Sequence, residues 1–171
     1  TPIKVDNDKP TVTISDATTG VLPQHKATIN ATGAKTLQYA WTTEDTPPVA
    51  GWMDVPEGGK VETRQDGTWY LHVLATHENG RVVHQYQAFT FRQPTLDVSV
   101  SDPEVWKPSK TITVTPEDYD GDIEIQMTGP ESGSFTEAGT WEITANGAYA
   151  FTLTDDYGSV VTKTLTVGNI D

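Results

Sequence analysis

Pro10-Thr-Val-Thr-Ile-Ser-Asp16 returns later in the chain as Leu96-Asp-Val-Ser-Val-Ser-Asp102, and this recurrence decides how the sequence is read. Val12, Ile14, Ser15 and Asp16 fall on Val98, Val100, Ser101 and Asp102 at one constant offset. A second stretch repeats as well. Gly67-Thr-Trp-Tyr-Leu-His-Val-Leu-Ala-Thr-His-Glu-Asn-Gly80 parallels Asn146-Gly-Ala-Tyr-Ala-Phe-Thr-Leu-Thr-Asp-Asp-Tyr-Gly158. Self-similarity on this scale marks tandem structural units. Val5-Asp-Asn7 also resembles Val167-Gly-Asn169, so the chain is expected to begin and stop inside equivalent linkers, as two beads of a longer string.

Helical periodicity is absent from both units. Short alternating runs rich in Thr, Val and Ile stand between Gly, Pro, Asn and Asp clusters, which is the pattern of a β-sandwich. Strands are expected near 11–15, 25–31, 37–42, 60–64, 68–76 and 82–91, and again near 96–101, 110–115, 122–128, 140–145, 148–154 and 160–167. The fold class is all-β, with two tandem antiparallel sandwiches at 10–92 and 96–171. Residues 1–9 read as a linker from a preceding module. Residues 93–95 read as the interdomain linker, where Pro94 limits free swinging.

The repeat is not uniform. Leu37, Tyr39 and Trp41 align with Ile123, Ile125 and Met127 at the offset of the first strands. Leu71, Val73 and Ala75 align with Tyr149, Phe151 and Leu153 at an offset eight residues smaller. The first unit therefore carries an eight-residue excess, placed in Thr46-Pro-Pro-Val-Ala-Gly-Trp-Met-Asp-Val55. An insertion at an edge is where a module acquires a specific property.

Composition narrows the partners. The chain has 171 residues and no cysteine, so disulfides and thiolate metal sites are excluded. Units of this size bury enough surface for a sandwich core without staples. The net charge of −13 is uneven. Residues 1–92 hold 8 basic and 10 acidic side chains, and residues 93–171 hold 3 and 14. Such a balance argues against nucleic acid and against anionic membrane surfaces. No apolar run approaches the length of about 18 residues that spans a bilayer.

Taken together, the opening Pro-Thr-Val-Thr-Ile-Ser, the strand with Tyr39-x-Trp41, the run Gly67-Thr-Trp-Tyr-Leu-His-Val-x-Ala-Thr76 and the closing Val167-x-Asn-Ile-Asp171 resemble the bacterial immunoglobulin-like (Big-type) repeats. These belong to large secreted or surface-anchored multi-modular proteins, including surface-layer-associated proteins, adhesins and polysaccharide-degrading enzymes. The resemblance implies two immunoglobulin-like sandwiches and an extracellular setting. It also implies a spacer role with neighbouring modules of the same parent chain as partners. A carbohydrate-binding accessory role, taking a polysaccharide or cell-surface ligand, and a protein–protein adhesion role are the alternatives. The second unit departs from the pattern by lacking the Trp-Tyr-Leu-His run.

Two constellations could carry binding. Asp118, Asp120 and Asp122 alternate along a Gly-kinked loop, and Asp155 and Asp156 end a core strand whose loop lies at the same end of such a sandwich. Calcium takes six to eight hard oxygen ligands, so these five carboxylates are candidate calcium ligands at the joint between units. A solvated acidic turn is the simpler reading. The corresponding loop of the first unit, residues 31–36, has no carboxylate and is expected to hold no equivalent site. The other constellation is aromatic. Trp52 lies in the insertion, and Tyr70 and His72 alternate with inward Leu71 and Val73, so they should point outward. An exposed aromatic platform stacks on the C–H face of a sugar ring; the plainer reading is that these groups cover a sheet edge. Trp106 is also expected to be exposed, whereas Trp41, Trp69 and Trp141 read as core or near-core. His72 and His84 could be neighbours, but two imidazoles alone make a poor zinc site. No nucleophile elbow, His-Glu-x-x-His or phosphate loop is present, so no catalytic residues are assigned.

Overall fold

The computed structural model describes residues 5–171; residues 1–4, the first part of the expected leading linker, lie outside the described residues. The chain divides into two compact units, Thr1–Arg92 and Gln93–Asp171. In the first, the strands are β1 (Thr11–Ser15), β2 (Val21–Leu22), β3 (Gln24–Thr32), β4 (Thr36–Thr42), β5 (Met53–Asp54), β6 (Lys60–Arg64), β7 (Gly67–Thr76) and β8 (Val82–Phe91). They form a sheet β1-β3-β6 and a sheet β2-β8-β7-β4-β5. In the second, β9 (Thr95–Val100), β10 (Lys110–Glu117), β11 (Ile123–Thr128), β12 (Gly133–Phe135), β13 (Gly139–Ile143), β14 (Gly147–Asp155) and β15 (Val160–Val167) form the sheets β13-β10-β9 and β12-β11-β14-β15. Each unit is an immunoglobulin-like sandwich. The strands β2, β5 and β12 have no counterpart in the sequence reading, because two or three residues are too few to show alternation.

The repeat holds in the backbone as well as in the residues. Asp16 and Asp102 both take left-handed φ values, 50° and 45°, where the first strand of each unit ends. Most of the first unit's extra length falls between β4 and β5, at residues 43–52 against 129–132 in the second unit.

Alternation places the cores. In the first unit Ala27, Ile29, Val61, Leu71, Val73, Phe89 and Phe91 are buried together, and Trp41 packs edge-on against Phe89 and Phe91 at 5.3 and 5.8 Å. The second core is built on Ile112, Val114, Ile125, Met127, Ile143, Tyr149, Phe151 and Leu153. Each such side chain contributes about 1.5–3 kcal/mol on burial. The Tyr149 hydroxyl is satisfied by donating to the Ala145 carbonyl at 2.7 Å, the corner contact such sandwiches use at this strand. Burial raises its phenol above the usual range, with Glu131 adding to the effect. Trp141, read as near-core, is instead 37% exposed and lies against Phe135 and Gly133 at the sheet surface.

Both units tie their last strand to an early segment in the same way. In the first, β2 pairs in parallel with the end of β8, Arg92 N donates to Leu22 O at 3.0 Å, and buried His25 donates through Nε2 to Thr90 O at 2.7 Å. In the second, Lys107 and Ile170 form a parallel bridge, with Lys107 N donating to Asn169 O and Asp171 N to Lys107 O. Buried Lys110 donates through Nζ to Gly168 O at 2.8 Å. Thr90 and Gly168 are equivalent at the offset that relates Leu71 to Tyr149.

Candidate functional site

The outer face of β4, β7 and β8 gathers a second aromatic group of the first unit, apart from the core set. Residues there alternate with the core set, so Ala40, Tyr70, His72, Leu74, His84 and Tyr86 share one side. His72 sits at the centre. Its Nε2–H points at the Glu44 carbonyl at 2.8 Å, with Thr42 Oγ1 at 2.9 Å. A carbonyl can only accept, so Nε2 carries a proton, and in the neutral ring Nδ1 then has a lone pair. His84 Nε2 therefore donates to His72 Nδ1 at 2.8 Å. The two ring planes differ by 18° with centroids 5.1 Å apart, the spacing of imidazoles joined edge to edge rather than face to face. Tyr86 lies 5.8 Å from His84, and Tyr70 lies 6.0 Å from Tyr86. Trp52 closes the insertion on itself by donating Nε1–H to Pro48 O, and it stands edge-on to His72.

The structure thus brings Trp52, Tyr70 and His72 together, but it corrects the expected exposure of His72. That ring lies on the outer side of the sheet and is nevertheless fully buried, because Trp52, Tyr70, His84 and Tyr86 surround it. The surface belongs to Tyr86, which is half exposed. Trp106 is exposed, as expected, but lies in the second unit.

His84 is held below the ordinary histidine value, first by burial and then by His72. The unfolded chain therefore takes up this proton more readily, near 6.5. The contribution to stability is complete above that pH and is lost as pH falls through it toward the lowered native value. Thermal melts of the wild type should lose stability as pH falls below about 6.5. His84→Gln should flatten that part of the profile, and equal slopes in the two proteins would contradict this.

The acidic loop of the second unit is organised around Tyr119, whose ring folds over Gly121 and whose hydroxyl donates to Asp155 Oδ2. Asp155 Oδ1 accepts from the backbone N–H groups of Tyr157 at 2.9 Å and Ser159 at 2.7 Å. Burial pushes the Asp155 carboxyl up, but the hydrogen bonds from Tyr119, Ser159 and Tyr157 outweigh it and leave the group below the usual range. Both oxygens of this expected ligand are thus engaged in holding the turn. Asp122, Asp155 and Asp156 line one shallow groove, while Asp118 takes a left-handed φ of 43°. The five carboxylates do not converge.

Convergence occurs in the first unit. Among the described residues, the one set of three whose ligand atoms lie within 4.8 Å of one another is Asp6, Asp8 and His77. The entering chain is fastened there. Asn79 Nδ2 donates to Asp6 O and Asp8 O at 3.2 and 2.8 Å, and Arg81 Nη2 donates to Asn7 Oδ1 at 2.9 Å. Two carboxylates and an imidazole suit a zinc-like ion better than calcium. Loop 31–36, expected to hold no equivalent of the acidic-loop site, supplies none of these donors. The donors instead come from the entering chain and the β7–β8 turn, far apart in sequence, and no local spacing announces them.

No family model matches the chain, and no curated protein does. Solved structures are similar in fold. The fibronectin(III)-like modules of Clostridium thermocellum CbhA are 19% identical over 94% of this chain and 95% of that one, with a TM-score of 0.35. The C-terminal 282-residue fragment of intimin, in complex with the intimin-binding domain of the translocated intimin receptor, is 12% identical over 92% of this chain, with a TM-score of 0.46. A Ca2+-stabilized adhesin of an Antarctic bacterium that binds ice is 16% identical over 93% of this chain, with a TM-score of 0.36. The chain spans 64% and 48% of the latter two. The chain is a tandem pair of immunoglobulin-like modules.

Proposed function

We propose that the pair is a non-catalytic, load-bearing spacer within a larger secreted or surface-displayed bacterial protein. The supporting observation is the parallel tie between an early segment and the last strand of each unit. The chain enters before the early segment and leaves after the last strand. Tension on the two ends of a parallel pair slides one strand along the other, so its hydrogen bonds resist together instead of opening singly. Forced unfolding is governed by the unfolding rate. Pulling the chain from its termini tests the reading. Lys107→Pro removes the N–H that donates to Asn169 O, and loss of one hydrogen bond of about 1 kcal/mol should speed unfolding of the second unit under load roughly fivefold. Lys107→Met, which keeps the N–H, serves as control. Equal unfolding forces for Lys107→Pro and Lys107→Met would overturn the role of this tie.

A second reading, carbohydrate binding at the outer face of the first unit, is favoured by comparison of the two units. Tyr70, His72, His84 and Tyr86 correspond to Ala148, Ala150, Thr162 and Thr164. The fold is completed in the second unit without aromatic side chains at these places, so packing alone does not require them. Affinity electrophoresis on polysaccharide gels should show retardation that Tyr86→Ala abolishes. Identical mobility in every gel would remove this reading.

A further inference from the structure

The last strand of the first unit has an open, uncharged edge, and the second unit has the same edge guarded. Residue 81 directs its carbonyl to β7, where His77 N donates to it at 2.8 Å. Thr90 and Arg92 direct their main-chain groups the other way, to His25 and to Leu22. Main-chain groups alternate sides along a strand, and β8 pairs with β7 without a bulge. Val82, His84, Tyr86 and Ala88 therefore aim their N–H and C=O groups at the open side. On that side β2 pairs only with Thr90 and Phe91, and among the described residues no strand pairs with the rest. No Asp, Glu, Lys or Arg occurs within β8, and Val82 and Tyr86 are 56% and 50% exposed. A groove of about 260 Å³ between residues 18–21 and 87–90 continues the opening. Natural proteins guard such edges, often with a lysine, because an open strand recruits another. In β15 the guard is Lys163, which falls where β8 has Gln85.

We propose that the β8 edge is a self-association surface, on which a second copy of this chain adds its own β8 in antiparallel pairing. The edge is self-complementary. With the twofold axis at Gln85, His84 faces Tyr86 of the other copy and Val82 faces Ala88. Each facing pair exchanges two main-chain hydrogen bonds, and His84 against Tyr86 makes an imidazole–aromatic cross-strand pair. No like charges meet within the paired strands, and the first unit carries only a small net charge, 8 basic against 10 acidic side chains. The same pairing through β15 would set Lys163 against itself, which like-charge repulsion opposes. A contact of a few residues buries little surface, so the dimer is weak and is favoured by salt, which screens the −13 carried by each copy.

Sedimentation of the full chain should show reversible dimerisation below about 0.5 mM, stronger in 0.5 M than in 0.05 M salt, as a weak small interface requires. Gln85→Lys copies the second unit's guard at an exposed position and should raise the dissociation constant at least about tenfold with an unchanged melting temperature, since two ammonium groups then face each other across the axis. Hydrogen exchange should slow on dimerisation at the amides of His84 and Tyr86. A wild type that stays monomeric throughout this range overturns the proposal. So does a Gln85→Lys variant that dimerises as well as wild type, or protection that appears elsewhere and not in β8.

Discussion

Replacing Gly59 with alanine is expected to unfold the first unit near physiological temperature while the second unit keeps its structure. Gly59 has a φ of 73°, where an L side chain is strained by about 1–2 kcal/mol. The larger penalty is steric. A Cβ at this position would lie 2.0 Å from the Ile29 carbonyl oxygen, which is backbone and cannot rotate away. The approach is tight because Ile29 N donates to Gly59 O at 2.7 Å, and Ile29 itself is in the core. Relieving the overlap must move β3, so an overpacking cost of about 1–3 kcal/mol or more adds to the strain. The sum is a large share of the roughly 5–15 kcal/mol that stabilises a domain. A fall in melting temperature of roughly 15–30 °C follows for a unit of this size. Gly58 provides the control. It has a φ of 86° but meets nothing within 4 Å, so Gly58→Ala should show the strain alone. Hydrogen exchange read separately for peptides of the two units measures both variants. If Gly59→Ala and Gly58→Ala cost the same, the steric account fails.

Gly59 also shows what a sequence does and does not reveal. Its neighbours Gly58 and Pro56 announce a turn, but the contact with Ile29 depends on how two distant segments close. The same division runs through the site. Alternation in Gly67–Thr76 placed Leu71 and Val73 inward and Tyr70 and His72 on the other side, since period two is a local property of the chain. Alternation cannot say whether an outer side is covered. His72 is buried by Trp52 from the insertion and by His84 and Tyr86 from β8, and those meetings are tertiary. Asp155 was legible as a carboxylate at a strand end. That its two oxygens are occupied by Tyr119, Tyr157 and Ser159 depends on a loop folding back over it. The convergence of Asp6, Asp8 and His77 is the extreme case, because the partners stand at opposite ends of the first unit's sequence. The repeat was the strongest signal, since it needs no knowledge of packing, and it sets Gln85 against Lys163 and Tyr86 against Thr164 at equivalent places.

Lys110→Met should cost the second unit about 1.5–3 kcal/mol, as Gly168 O loses its charged donor while Pro103 O keeps the one from Asn169 Nδ2. A lysine beginning a strand reads from sequence as a surface residue, yet this one is 2% exposed. Its Nζ donates to Gly168 O at 2.8 Å and Pro103 O at 3.3 Å, linking the end of β15 to the β9–β10 connection. Methionine preserves the stem and most of the volume, so the loss isolates the ammonium. One effect opposes the prediction, because an apolar residue is spared the cost of burying a charge. Two features limit that relief. The ammonium is hydrogen-bonded to carbonyl oxygens, and it lies in the field of Asp102, whose carboxyl is held low chiefly by the hydrogen bond from Lys107 and to a smaller extent by Lys110. The first unit reaches the same end with a different group, since His25 is 1% exposed and serves Thr90 O. The equivalent acceptors Thr90 O and Gly168 O thus each receive a buried nitrogen donor, from different side chains. Chemical denaturation of the full chain should therefore show the second unit's midpoint reduced in Lys110→Met and reduced further in Lys110→Ala, where a cavity adds about 1–2 kcal/mol. The first unit's midpoint should be unchanged. A Lys110→Met variant as stable as the wild type would mean that water replaces the ammonium at Gly168 O, and the donor would then be dispensable.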